Sequence, residues 1–205
     1  MCFYTKLTKT ATEVESRFQA KLKEPSLFHP QEKINGFGFP ETPVILDESP
    51  ALITQYCWGL IPAWAKDTSI QKYTLNAKIE TVGEKPSFKN SVHQRCLVIA
   101  NGYYEWQWLD AKGKTKQPYE LCLPNEELFA FAGLYSQWMD LNTGEIKNTY
   151  TVLTTEASPL LAAIHNSKKR MPVVLKREDE TRWLQQAPIE AFGFPYSVDL
   201  VALKL

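Results

Sequence analysis

Nothing in this sequence approaches the roughly 20 consecutive apolar residues that a membrane-spanning helix requires. Its opening, MCFYTKLTKTATEVE, lacks the apolar stretch of a secretory leader. The expected setting is therefore cytoplasmic and close to the nucleoid, or nuclear in a eukaryotic source, with no membrane partner. Cysteine is sparse and dispersed. Cys2, Cys57, Cys96 and Cys122 contain no CxxC pair, which argues against a disulfide framework in a reducing compartment. Together with His29, His93 and His165 they make no zinc-ligand spacing, so neither a metal nor a cofactor is expected. Net charge is missing too: 23 Lys and Arg balance 23 Asp and Glu, which speaks against a generic binder of polyanions.

What is present is a globular composition, 44% hydrophobic and 12% aromatic, in a chain long enough to bury one substantial core. Charge is distributed unevenly. Lys66–Arg95 holds six Lys and Arg against three acids, and His165–Arg177 holds five with no acid. Such patches either follow a phosphate backbone or are simply solvated loops.

Periodicity gives a short amphipathic helix over Thr12–Lys23, with Val14, Phe18 and Leu22 on one face and Thr12 as N-cap. Pro25–Pro50 reads mostly as loop, with a short strand at Val44–Leu46. Further strands are expected at Leu52–Trp58, Cys96–Ala100, Tyr103–Trp108, Tyr119–Leu123, Leu128–Tyr135, Thr149–Thr155, Val173–Leu175 and Val198–Leu203. Helices are expected at Ser158–His165 and Glu178–Gln186. The implied fold is α+β, a mainly antiparallel curved or barrel-like sheet with a few flanking helices, in a single domain over residues 1–205.

Four residues stand out chemically. Removal of the initiator Met before a small residue leaves Cys2 with a free α-amine, whose ordinary pKa of about 7.7–8.0 lies well below the ~10.4 of a lysine. An amine and a thiol on one residue condense with an aldehyde to an imine and then close to a five-membered thiazolidine, an intramolecular step with high effective concentration. Glu105, between Tyr104 and Trp106, either has a raised pKa suited to proton transfer, or points outward, or pairs with Arg95. Asn76 opens the polar segment Asn76–Thr81. His165 ends an apolar helix before a basic loop, as a proton-transfer group or a helix-end histidine. Among the aromatics, Trp64 beside Lys66 is the stacking candidate, whereas Trp58 is expected in the core. Taken singly, each residue also has an ordinary structural reading.

Taken in order, Met1-Cys2, Trp58–Lys66, Asn76–Thr81, EKPSFK at 84–89, RCLVIANGYYEW at 95–106, FAFAGLY at 129–135, TVLTT at 151–155, and Ile164-His165 with RMPVVL at 170–175 resemble the SRAP family of SOS-response-associated peptidases, or abasic-site-processing proteins. The resemblance implies a compact domain with a basic groove for single-stranded DNA, acting as a monomer. It implies a thiazolidine crosslink between Cys2 and the ring-opened sugar of an abasic site, with Asn76 holding the reacting group, Glu105 shuttling protons and His165 assisting ring opening. Lys78, Lys89 and Arg170 would meet phosphates, with Trp64 where the strand is splayed. A lyase-like activity and a self-cleavage exposing Cys2 are also implied. The chain departs from the pattern at Phe3 and Tyr4, where Gly and Arg are usual, and at Lys78, which keeps charge without the bidentate fork of Arg. Two other readings stand beside it: a cysteine peptidase using Cys2 and His165, and a non-covalent binder of single-stranded nucleic acid.

Overall fold

The run Phe129-Ala130-Phe131-Ala132-Gly133-Leu134 alternates large and small side chains, and both sets are buried. In a strand, successive side chains point to opposite faces, so this segment is covered on both. Phe129 and Phe131 join one apolar cluster with Val98, Cys96, Trp58 and Tyr150, while Ala130, Ala132 and Leu134 join a second with Leu97, Ile99, Ile45 and Trp183. Two-sided burial is why the sequence here is continuously apolar rather than alternating with polar residues.

The computed structural model describes residues 2–205; the expected loss of Met1 falls outside them. Numbered in chain order, the strands begin with β1 (Tyr4–Leu7), β2 (Lys21–Leu22), β3 (Gln31–Asn35), β4 (Glu41–Leu46) and β5 (Leu52–Trp58). They continue with β6 (Asn76–Lys78), β7 (Arg95–Ala100), β8 (Gly102–Trp108), β9 (Lys116–Cys122) and β10 (Phe129–Met139). The last are β11 (Ile146–Glu156), β12 (Arg170–Pro172) and β13 (Val201–Lys204). Three short α-helices accompany them: α1 (Ala11–Phe18), α2 (Pro159–Ile164) and α3 (Glu180–Leu184).

One sheet runs β13-β9-β8-β1-β3, antiparallel throughout. The other runs β12-β11-β10-β7-β4-β5-β2, with β6 lying parallel to β11. A second parallel pairing, Thr149 with Cys57 and Tyr150 with Trp58, joins β11 back to β5. Strands β5, β4, β7, β10 and β11 therefore close on themselves as a barrel, and the expected single-domain α+β fold with a mainly antiparallel, barrel-like sheet is what forms. Among the described residues no helix is long and apolar enough to cross a membrane.

Several local expectations shift. The N-cap lies two residues before Thr12, at Thr10, and the helix begins at Ala11, because Thr10 and Glu13 form a reciprocal capping box, Thr10 N–H donating to Glu13 Oε2 at 2.7 Å. It stops at Phe18, where Gln19 turns left-handed (φ 52°), and Lys21–Leu22 then pair with β5 instead of continuing as helix. The supposed loop between Pro25 and Pro50 contains β3, whose polar Gln31, Glu32 and Lys33 conceal it; only Ile34 points inward. The strand expected at Val173–Leu175 lies earlier, as β12, leaving Val174 a single bridge to Phe131.

Arg95 leaves the basic patch in which its sequence position placed it. It is buried, its guanidinium lies 4.3 Å from the centre of the Trp183 ring, and Nη1 donates to the carbonyls of Trp183 and Ala187 at 3.1 and 2.7 Å. Trp58 is fully buried, stacked on Tyr150 at 6.2 Å, and donates from Nε1 to Leu75 O at 2.8 Å.

Gly133 sits at a tightly packed point of the barrel wall. A Cβ there would lie 2.7 Å from Cys96 Sγ, 2.8 Å from Val98 Cγ2 and 3.1 Å from Thr151 O. Gly133→Ala is expected to destabilise the fold by about 1–3 kcal/mol through overpacking, read as a lower urea midpoint at unchanged m-value.

Candidate functional site

The chain enters the fold buried. Cys2 has no exposed surface, its Sγ lies 3.7 Å from Tyr4 O, and its carbonyl accepts a hydrogen bond from Asn76 Nδ2 at 2.8 Å. A carbonyl can only accept, so this contact fixes which end of the Asn76 amide faces Cys2. Asn76 is held by β6, where it sits opposite Val152 of β11. The next carbonyl, Phe3 O, accepts from Gly36 N at 2.8 Å. Gly36 has no room for a side chain: a Cβ would be 3.0 Å from the Trp58 ring and 3.2 Å from Phe3 O. The chain start is thus clamped on two sides, with Trp58 behind one clamp.

Glu105 lies on β8 facing Tyr119 of β9, between Tyr104 and Trp106, and is only 5% exposed. Burial pushes its carboxyl up to about 7, the Trp106 amide opposing part of that rise. Burial, reinforced by the Glu105 carboxylate, also pushes the Cys2 thiol well above its ordinary value, so the thiol is protonated at neutral pH. The alternative pairing of Glu105 with Arg95 does not occur, because Arg95 is spent on the carbonyls beneath Trp183.

His165 is the C-cap of α2 and is buried. Its Nδ1 lies 2.7 Å from the carbonyl of Arg170 and 3.2 Å from the Arg170 N–H; the shorter contact favours the ring proton on Nδ1, donated to that carbonyl, which leaves Nε2 as the basic nitrogen. Burial lowers its pKa to about 4, against the raising effect of that hydrogen bond. A helix C-terminus ordinarily favours the cation. Here desolvation wins and the imidazole is neutral.

Phe3, Tyr4, Glu105, Trp106, Trp108, Lys116, His165 and Ser167 line an open cavity of about 460 Å³. Among the described residues β1 pairs with β8 at Tyr103 and Gly102, and the cavity lies beyond that pairing, at the end of β8 that carries Glu105, Trp106 and Trp108. Glu105 and His165 thus share this cavity with Phe3 and Tyr4, and Cys2, bonded to Asn76, is the residue before Phe3. Among the described residues no three His, Cys, Asp or Glu side chains converge as a metal site would.

The four residues expected to touch DNA are less alike than their positions suggested. Lys78 and Lys89 are exposed. Lys78 stands two residues beyond Asn76 on β6, hence on the same face. Trp64 is 54% exposed, anchored by an Nε1–H bond of 3.1 Å to Pro86 O that leaves the ring face open. Arg170 is occupied: Nη1 and Nη2 each meet a Glu80 carboxylate oxygen at 2.8 Å, and Nη2 also donates to Thr154 O at 2.6 Å. Glu80 had drawn no role from the sequence, although it lies inside the Asn76–Thr81 segment. Its only signal was an acid within a basic stretch.

A family model described as SOS response associated peptidase (SRAP) matches residues 1–194. The abasic site processing protein YoqW of Bacillus subtilis (strain 168) is 44% identical over 144 residues, which cover 69% of this chain and 61% of that protein. The abasic site processing protein HMCES of Xenopus tropicalis is 32% identical over 161 residues, 67% of this chain and 46% of that protein. The chain thus spans less than two thirds of the length of these curated relatives. A crystal structure of a Bacteroides thetaiotaomicron protein superposes with a TM-score of 0.89 at 33% identity, over 100% of this chain and 92% of the other.

The neutral state of His165 has a stability consequence. Between its ordinary value of 6.5 and about 4, the unfolded chain binds a proton that the folded chain does not. Stability from this residue is therefore complete above 6.5 and is lost as pH falls toward 4. Glu105, raised from 4.5 to about 7, has the opposite slope, because over that range the folded chain holds the extra proton. A His165→Asn variant retains the Glu105 slope and loses its own. Its urea midpoint is expected to fall less than that of the parent between pH 7 and 4.5.

Proposed function

Since the chain belongs to the SOS response associated peptidase (SRAP) family, we propose that it processes abasic sites in single-stranded DNA by covalent capture of their aldehyde on Cys2. The observation that carries this reading is the clamped Cys2, its carbonyl held by Asn76 at 2.8 Å, beside a cavity that contains Glu105 and His165. With Met1 gone, Cys2 presents an α-amine whose ordinary pKa, about 7.7–8.0, leaves a useful uncharged fraction at neutral pH. The Cys2 thiol stays protonated, so the amine is the first nucleophile.

The sequence of steps follows from these protonation states. His165, neutral and basic at Nε2, takes the proton from the anomeric hydroxyl as the bond from that carbon to the ring oxygen breaks, and returns it to the ring oxygen, which leaves as a hydroxyl and frees the aldehyde. The Cys2 nitrogen adds to the carbonyl carbon, and the resulting hydroxyl leaves as water once Glu105, protonated in part at neutral pH, supplies a proton. The Cys2 sulfur then adds to the imine carbon, its proton passing through Glu105 to the ring nitrogen. One C–N and one C–S bond form, and the carbonyl oxygen departs as water. Asn76 Oδ1 is buried and has no hydrogen-bond partner among the described residues; it accepts from the reacting amine. Lys78 and Lys89 neutralise phosphates of the strand and Trp64 stacks on a displaced base. The same imine gives a slow lyase activity where the thiol fails to close.

Incubation with an abasic single-stranded oligonucleotide is expected to give a denaturation-resistant adduct with loss of one water by intact mass, from protein lacking Met1. Cys2→Ala abolishes it. Cys2→Ser retains the amine and gives an adduct only when borohydride traps the imine. Equal, salt-sensitive binding of intact and abasic strands by both variants and parent, without any adduct, would return the chain to a non-covalent binder.

Glu105 sets the pH profile. The rate of adduct formation is expected to bend near pH 7, where this carboxyl exchanges its proton, and Glu105→Gln is expected to remove the bend and slow the step about 100-fold. A bend that survives in Glu105→Gln assigns it to another group, such as the α-amine.

A further inference from the structure

We infer that Glu80 is a positioning residue for His165, acting through Arg170, whose side chain Glu80 holds and whose main chain holds the imidazole. The inference rests on the proposed proton-transfer role of His165 and adds a residue to which no role has been given. Arg170 is gripped at three points: Glu80 Oε1 on Nη1 and Oε2 on Nη2, both at 2.8 Å, and Thr154 O on Nη2 at 2.6 Å. This fork-to-fork geometry fixes direction as well as distance. Glu80 itself sits in the 3-10 turn Ile79–Thr81 directly after β6, so the strand that presents Asn76 also presents the anchor for Arg170. The Thr155 hydroxyl adds a contact of 3.3 Å to Glu80 Oε1.

The other end of the relay is the Arg170 backbone, whose carbonyl lies 2.7 Å from His165 Nδ1, closer than its own N–H at 3.2 Å, so that the carbonyl sets the tautomer. Between His165 and Arg170 the chain makes a tight loop in which Lys169 N donates to His165 O at 2.8 Å and Lys169 itself is left-handed, φ 51°. A non-glycine residue holds that conformation only where its surroundings impose it. The imposing contacts are the pairing of β12 with β11, Glu156 opposite Arg170, and the Glu80 grip on the Arg170 side chain. Loosening the grip lets the carbonyl drift from Nδ1. The ring proton is then no longer confined to Nδ1, and Nε2 loses its assignment as base. A histidine in the wrong tautomer cannot serve even when it stays in place.

The test uses the full chain with Met1 removed and two readouts. Nitrogen-15 shifts of the His165 ring at pH 7 are expected to report the Nδ1–H tautomer in the parent and a mixture in Glu80→Gln. Single-turnover adduct formation at saturating abasic strand is expected to slow about tenfold in Glu80→Gln, with unchanged Kd for a strand carrying a non-reactive tetrahydrofuran analogue. Glu80→Asp, which keeps both oxygens, recovers part of the rate. If Glu80→Gln fails to fold, Arg170→Lys keeps the charge and removes the fork, and the same shift in tautomer is expected. An unchanged tautomer and rate in the folded variant overturn the inference. So does tighter binding with a steeper salt dependence, which would mean that Glu80 competes with phosphate for Arg170. A parent that forms no adduct defeats the proposed function alone, since the tautomer measurement still decides the relay.

Discussion

A reactive residue at the second position of a chain would ordinarily fray into solvent. Here Cys2 is instead drawn wholly inside, and the polar backbone that comes with it has to be satisfied there. Asn76 answers the Cys2 carbonyl and Gly36 answers that of Phe3, at 2.8 Å each. Most of the surrounding structure follows from those two contacts. Asn76 is available because β6 lies along β11, and Gly36 can approach because it has no side chain to collide with Trp58. Trp58 in turn is held by Tyr150 of β11 and by Leu75, the residue before β6.

The same burial sets the electrostatics. Desolvation penalises whichever form of a group carries charge. It therefore raises the Cys2 thiol, raises Glu105 to about 7 and lowers His165 to about 4. All three are moved toward neutrality by one cause. A cluster of neutral or half-neutral groups suits proton exchange better than nucleophilic attack by a thiolate, and this separates the proposed chemistry from that of a cysteine peptidase, which needs an ionised sulfur. Charges that would meet a strand, on Lys78 and Lys89, stand outside this buried cluster.

Cationic residues in the sequence divide in a way that no count reveals. Lys6 is 6% exposed and lies 2.8 Å from Glu120, Arg95 is enclosed under Trp183, and Arg170 is committed to Glu80. These three organise the interior and would be misjudged as surface charge from spacing alone. The basic stretches remain real, but the cations in them are fewer and more selectively placed than a reading of the sequence suggests. Arg170 illustrates the point: its planar fork, well suited to phosphate, is equally suited to a carboxylate, and the fold supplies one.

The amino-acid order by itself determined the fold class and most strand positions in the second half of the chain, while the roles expected of Cys2, Asn76, Glu105 and His165 came from the family resemblance rather than from any one residue's pattern. These strands were readable because apolar runs such as RCLVIA and FAFAGLY are dictated by burial on both faces. Short or polar strands escaped, β1 for its length and β3 for its exposed Gln31, Glu32 and Lys33, since neither leaves a periodic apolar trace. Only the tertiary structure decided which charges face water, which tautomer His165 adopts, and that Glu80 and Arg170 meet across 90 residues. That pairing depends on β6 and β12 both lying along β11, and a contact made by bringing distant strands together leaves no signature in either segment alone.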